Sequence, residues 1–144
     1  MAATVAAIHL NEKSRAPLRR VDRVNATADS GLDGDRHARP GRRRQVLIVE
    51  QEVLDEFSLQ PGDVREQITV RDVKLYDLEV GARLRAGTVV LEAQEPCAPC
   101  ARMDELRPGL KDAIDGRRGR FFRVVEAGSF AVGDKLELES ASTT

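Results

Sequence analysis

The two cysteines of the chain, Cys97 and Cys100, are separated by only two residues and are its strongest candidates for chemistry. An ionised thiol can act as a nucleophile, carry sulfur or bind a metal. Pro96 and Pro99 flank Cys97 and predict a stiff loop that leaves a preceding strand. Because Arg102 follows closely, we expect Cys97 to be the catalytic thiol, with a pKa below the roughly 8.5 of free cysteine. A pair of inert, buried thiols is the alternative.

A second candidate is the basic segment 36–44, which contains five arginines and His37. Guanidinium groups bind phosphate oxygens in a bidentate manner, so this segment predicts a phosphate-binding loop, with a purely solvated loop as the alternative. Nucleic acid is not expected as a partner, because aromatic residues make up 3% of the chain and the net charge is -1.

The Cys-Ala-Pro-Cys spacing is also typical of thiol–disulfide redox proteins. Such a site needs a β-α-β setting and a long helix after the first cysteine, and Pro108 limits any helix here. Zinc is not expected either. A zinc site takes four ligands, and Cys97, Cys100, His9 and His37 do not contain a second ligand pair at a suitable spacing.

Length and composition predict one domain over residues 1–144, with a core over about 5–139 and a frayed tail at 140–144. Hydrophobic residues make up 41% and charged residues 33%, as in ordinary globular proteins. No apolar run reaches the roughly 20 residues that span a bilayer. No secretory signal is recognised, so we expect a reduced, cytoplasmic protein without membrane contact.

Short apolar and β-branched runs between glycine-containing turns predict about eight to ten strands and two or three short helices. The fold class expected from this pattern is mainly β, an antiparallel β-barrel without the strand–helix alternation of a parallel sheet. A change to helical spacing predicts a helix over residues 50–59, and shorter ones over 103–106 and 110–114. The main predicted strands cover residues 4–10, 18–24, 45–49, 64–70, 84–86, 88–93, 121–126, 130–132 and 135–139.

Several short motifs occur in an order that resembles one known family. They are Lys13-Ser14, Gly31 to His37 (GLDGDRH), Gln45-Val46, Pro61-Gly62 followed by Arg65-Glu66, Pro96-Cys97, Gly116 to Gly119, Gly128, and Val132-Gly133-Asp134. Together they resemble the MOSC domain, named for the C-terminal region of molybdenum cofactor sulfurases, in its short stand-alone bacterial form. The family fold is a β-rich barrel with short helices.

The resemblance implies binding of the molybdenum cofactor, with Cys97 as a persulfide carrier or molybdenum ligand. It implies that the cofactor-binding residues are Lys13, Ser14, Arg36, His37, Arg65, Gln67 and Arg102. Gln67 departs from the asparagine found in many relatives, so its contact with the ligand is open. Cys100 has no shared role.

Two function classes follow from the resemblance. One is a sulfur carrier served by a cysteine desulfurase or another sulfur donor, and pyridoxal phosphate binding is associated with the family. The other is a molybdenum-dependent reductase of N-hydroxylated compounds. A reductase would require a separate electron-transfer partner, because the chain has no ferredoxin-type cysteine set.

Overall fold

The computed structural model describes residues 2–139, so the predicted frayed tail lies outside the described residues. Within them the fold is mainly β with three short helices. The strands are β1 (Thr4–Leu10), β2 (Arg19–Val21), β3 (Arg23–Thr27), β4 (Gly31–Leu32), β5 (Val46–Glu50), β6 (Ile68–Arg71), β7 (Arg83–Ala86), β8 (Val89–Pro96), β9 (Arg120–Glu126), β10 (Gly128–Ala131) and β11 (Leu136–Glu139). The helices are α1 (Gln51–Glu56), α2 (Ala101–Leu106) and α3 (Leu110–Ala113).

The strands form one large and one small sheet. The large sheet has the order β11-β7-β8-β9-β5-β6-β1-β2, and the small one has the order β10-β3-β4. A bridge between Thr4 and Lys135 connects the start of β1 to the residue before β11. No closed barrel is found among residues 2–139, so the barrel part of the fold prediction is not confirmed, whereas the mainly β class is confirmed.

One pair of strands corrects the expectation of a purely antiparallel sheet. β5 and β6 pair in parallel, with Ile48 opposite Ile68, and α1 lies in the connection between them. The sequence did not reveal this β5-α1-β6 unit, because α1 has only six residues and a loop separates it from β6. The predicted strand 64–70 is therefore shorter at its start, since Arg65 has a positive φ of 67° and belongs to the loop.

β5 is buried on both faces and lies between the two hydrophobic clusters of the protein. Val46 and Ile48 point into the cluster between the sheets, whereas Leu47 and Val49 contact the cluster formed with the helices. Alternate residues of a strand point to opposite faces, so a strand covered on both sides must be apolar throughout. This explains the continuous apolar run that predicted the strand.

No helix within residues 2–139 is long and apolar enough to cross a membrane.

Candidate functional site

Cys97 lies at the end of β8, directly beside the start of β9. The strand continues through Pro96, which pairs with Arg120 after a register shift, so β8 ends three residues beyond the predicted strand 88–93. The Cys97 N–H donates to the carbonyl of Gly119 at 2.8 Å. A bulge tolerates proline because it interrupts the regular ladder. The sheet therefore fixes the backbone of Cys97, as the sequence predicted.

Gly119 lets the backbone at the start of β9 lie close to β5, and the Tyr76 hydroxyl hydrogen-bonds to both backbone groups of Gly119. Gly119 has a φ of 113°, and a Cβ there would lie 2.7 Å from the carbonyl oxygen of Ile48. The Tyr76 hydroxyl donates to the Gly119 carbonyl at 2.8 Å and accepts from its N–H at 3.1 Å. Any residue larger than glycine would push β5 away, so this glycine is required for the approach.

The thiol of Cys97 is half-buried, and its partner in the motif, Cys100, is exposed; both cysteines are free. Burial raises the pKa of the Cys97 thiol, while the guanidinium groups of Arg118 and Arg44 oppose the rise. The expectation of a lowered pKa set by Arg102 is therefore wrong. Desolvation disfavours the thiolate more than the neighbouring cations favour it.

A pH titration of thiol reactivity tests this environment. In the Cys100→Ser variant, the alkylation rate of Cys97 is expected to rise with pH to a midpoint above the value of about 8.5 for free cysteine. The reason is that only the thiolate reacts and burial disfavours it. Iodoacetamide labelling followed by mass spectrometry measures the rate. A midpoint below that of free cysteine in the folded protein would contradict the prediction.

Asp35 organises a second part of the site and is buried. Its carboxylate accepts from the backbone N–H groups of Asn11 at 2.7 Å and His37 at 3.0 Å, and from the Gln67 amide at 3.1 Å. Within residues 2–139 the Asp35 carboxylate makes no hydrogen bond with the guanidinium of Arg36. Gln67 is itself buried, and its carbonyl oxygen accepts from the Leu47 N–H at 2.8 Å. Gln67 therefore braces Asp35, a role that the prediction of cofactor contact did not anticipate.

A chain of hydrogen bonds connects Arg65 to His37 through Asn11. Arg65 donates to Asn11 Oδ1 at 3.3 Å, which turns Asn11 Nδ2 toward His37 Nε2 at 3.3 Å. Because an amide N–H donates, this His37 nitrogen must accept, and the imidazole is neutral. Desolvation and the nearby guanidinium groups lower the pKa of His37, although Asp35 opposes them, which agrees with a neutral ring.

Arg65, Arg36 and Arg102 form an arginine cluster beside this network. Arg65 donates to the Ala16 carbonyl at 2.6 Å, which holds the turn containing Lys13 and Ser14 against it. Burial, Arg102 and Arg36 lower the pKa of Arg65, in that order. Within residues 2–139, none of the three arginines lies within 4.0 Å of a carboxylate oxygen. Arg65 therefore does not form an ion pair with the neighbouring Asp63 or Glu66.

The structure thus brings together most of the residues predicted from the sequence. Arg65 of the arginine cluster holds the turn that contains Lys13 and Ser14, and it is linked to His37 through Asn11. Cys97 lies at the strand end that precedes α2, the helix of Arg102. Sequence reasoning missed Asn11, Tyr76 and Arg118, and it placed Arg44 in the predicted phosphate-binding segment instead of beside Cys97.

The site is suited to a cofactor that supplies its own metal ligands. Among the described residues, no group of three or more His, Cys, Asp or Glu side chains could hold a metal ion. A molybdenum pterin brings sulfur ligands and a phosphate, and would require one further thiolate and cations for its charge. Cys97 and the arginine cluster provide these groups, and the arginines lack carboxylate partners, so the residues present fit such a cofactor.

Comparisons with known proteins give a consistent result. The family model described as MOSC domain matches residues 33–137. No curated protein matches the chain. Among solved structures, YuaD from Bacillus subtilis is similar with a TM-score of 0.78 and 20% identity, covering 97% of both chains. YiiM from Geobacillus stearothermophilus gives 0.78 and 18%, covering 98% of this chain and 77% of that one. YiiM from Escherichia coli gives 0.71 and 18%, covering 98% and 72%.

Proposed function

Because the chain belongs to the MOSC domain family, which is associated with molybdenum cofactor binding, we propose that it binds this cofactor and uses Cys97 as a persulfide carrier or metal ligand. The observation that best supports the proposal is the arginine cluster. Its three cations repel one another and have no carboxylate partner within residues 2–139. Uncompensated guanidinium groups favour binding of a dianionic phosphate.

Each part of the site would bind a different part of the cofactor. Arg65, Arg36 and the Lys13-Ser14 turn would hold the phosphate, and Arg102 would extend this positive surface toward the cysteine loop. When bound, the cofactor supplies a metal centre that can transfer oxygen atoms and electrons. The protein contributes a half-buried thiol whose backbone is fixed by Gly119, and a neutral His37 that can accept or donate a proton at its ring nitrogens.

As a sulfur carrier, Cys97 would react with a persulfide-bearing donor, for which a cysteine desulfurase is the partner that we propose. The Cys97 thiolate attacks the terminal sulfur of the donor R–S–SH. The S–S bond of the donor breaks, R–S⁻ leaves with the electron pair, and Cys97 becomes Cys–S–SH. No electrons are gained or lost overall, as in thiol–disulfide exchange. Burial raises the pKa of Cys97 and so lowers its thiolate fraction, while the positive charges of Arg118 and Arg44 oppose that rise.

Substitution of Arg65 tests the proposed phosphate contacts. The Arg65→Met variant, purified from cells that synthesise the cofactor, is expected to contain about tenfold less molybdenum than wild type. The reason is that one charge-assisted hydrogen bond contributes about 1.5 to 3 kcal/mol to binding. Arg107→Met is the matched control, because Arg107 is an exposed arginine just beyond α2. Elemental analysis of the purified proteins gives the result. Equal molybdenum in both variants, with wild type loaded, would disprove the contact.

A further inference from the structure

Two buried arginines near the cysteine loop differ in how their N–H groups are satisfied. Arg120 donates through its Nε and Nη1 groups to the backbone carbonyls of Gln94, Leu75 and Leu78. Arg118 donates to one carbonyl, that of Val64 at 2.6 Å, and its Nε and Nη1 atoms are buried without a hydrogen-bond partner. Burying a charged donor without a hydrogen-bond partner costs free energy. This indicates that a ligand provides the missing partners of the Arg118 guanidinium.

The position of Arg118 connects the two parts of the candidate site. Its neighbour Gly119 accepts the backbone hydrogen bond of Cys97, and its guanidinium reaches the carbonyl two residues before Glu66. Only 5% of Arg118 is exposed, so the side chain points into the protein between these two segments. The charge of the Arg118 guanidinium acts on the half-buried Cys97 thiol, so two unpartnered donors lie in the neighbourhood of that thiol.

Glu66 provides the second unpaired group in this region. Its Oε2 atom accepts from the Gly62 N–H and the Thr69 hydroxyl, each at 2.8 Å, while Oε1 is buried without a partner. Burial raises the pKa of Glu66, and Arg118 opposes the rise. Burial favours the neutral carboxyl group, which can donate a hydrogen bond, so Glu66 does not exclude an anion bound at Arg118.

We propose that Arg118, beside Cys97, is the principal binding residue for a small oxyanion that is brought next to the thiol. The inference rests on the proposed role of Cys97. Two sources share this chemistry: the oxo groups of the bound metal centre, and a free thiosulfate-type sulfur donor. With thiosulfate, the Cys97 thiolate attacks the outer sulfur, the S–S bond breaks, and sulfite leaves with the electron pair.

Protection of Cys97 from alkylation tests the site, with Cys100→Ser as the background. Molybdate and thiosulfate, used separately, are expected to slow iodoacetamide labelling by about fivefold or more, because a charge-assisted bond holds the anion over the thiol. Each variant is measured at the pH of its own half-maximal reactivity, so that an altered thiol pKa does not mimic protection. The protection should disappear in Arg118→Met and persist in part in Arg118→Lys, which keeps the charge.

Arg117→Met is the matched control, because the neighbouring Arg117 is only partly buried and pairs with Glu56 at 2.6 Å. It should retain full protection. Intact mass then separates the sources: one added sulfur atom with thiosulfate indicates a free donor, and protection without covalent change indicates the oxo groups of the metal centre. Absent protection, or protection that is equal in Arg118→Met, Arg118→Lys and wild type, overturns the inference. Absence of both sulfur and molybdenum on purified wild type would instead reject the proposed function.

Discussion

The Asp35→Ala variant is expected to lose about 3 kcal/mol of unfolding free energy, because it leaves three donors without their acceptor. The carboxylate of Asp35 accepts from Asn11, His37 and Gln67, and the residue is only 6% exposed. Water can reach some of these donors in the variant, so the loss is smaller than three full penalties. Urea unfolding, followed by circular dichroism, measures the change in free energy.

Asp33→Ala is the matched control for this variant. Asp33 lies two residues earlier in the same loop, is exposed, and accepts one hydrogen bond from the Thr27 hydroxyl at 2.7 Å. Its loss is expected to cost less than about 1 kcal/mol, as for most surface substitutions. If the two alanine variants are equally stable, Asp35 does not organise the loop.

The sequence predicted the strands whose environment is uniform along their length. β5 is buried almost throughout and its sequence is an apolar run, whereas β9 alternates between buried and partly exposed residues. In both strands burial determines the residue type, so the sequence pattern predicts a strand. The parallel pairing of β5 with β6 was missed, since a six-residue helix does not produce the pattern of a long crossover helix. Local sequence patterns therefore identify individual strands better than they identify which strands pair with each other.

The sequence predicted the site residues that lie in family motifs. It did not identify residues such as Arg118, whose role depends on how deeply the side chain is buried. Arg117, Arg118 and Arg120 follow one another closely in the sequence with nothing to distinguish them. In the structure Arg117 is partly exposed, Arg118 is buried with unpartnered donors, and Arg120 is buried with its Nε and Nη1 groups bonded to backbone carbonyls. The pKa of Cys97 was predicted incorrectly for the same reason: the sequence shows nearby charges but not desolvation.

Replacing Cys97 by serine is expected to abolish bound sulfur and bound molybdenum. A serine hydroxyl cannot form a persulfide, and its oxygen is a poor substitute for a thiolate as a soft metal ligand. Serine fits the same volume, and the backbone hydrogen bond from residue 97 to Gly119 does not involve the side chain. The fold is therefore expected to survive, and a thermal melt within a few degrees of wild type checks this.

Cys100→Ser is the matched control, because Cys100 is exposed and its side chain makes no capping hydrogen bond at the start of α2. It is expected to retain sulfur and molybdenum within about twofold of wild type, as for a surface substitution that leaves the thiol of Cys97 intact. The comparison separates a reactive thiol from a cysteine that merely shares its loop.

The most direct measurement is sulfane sulfur and molybdenum content, determined on wild type and both serine variants purified from cells that synthesise the cofactor. The account predicts stoichiometric sulfur or molybdenum on wild type and Cys100→Ser, and neither on folded Cys97→Ser. Wild type without either element, or a loss that follows Cys100 instead of Cys97, would contradict it.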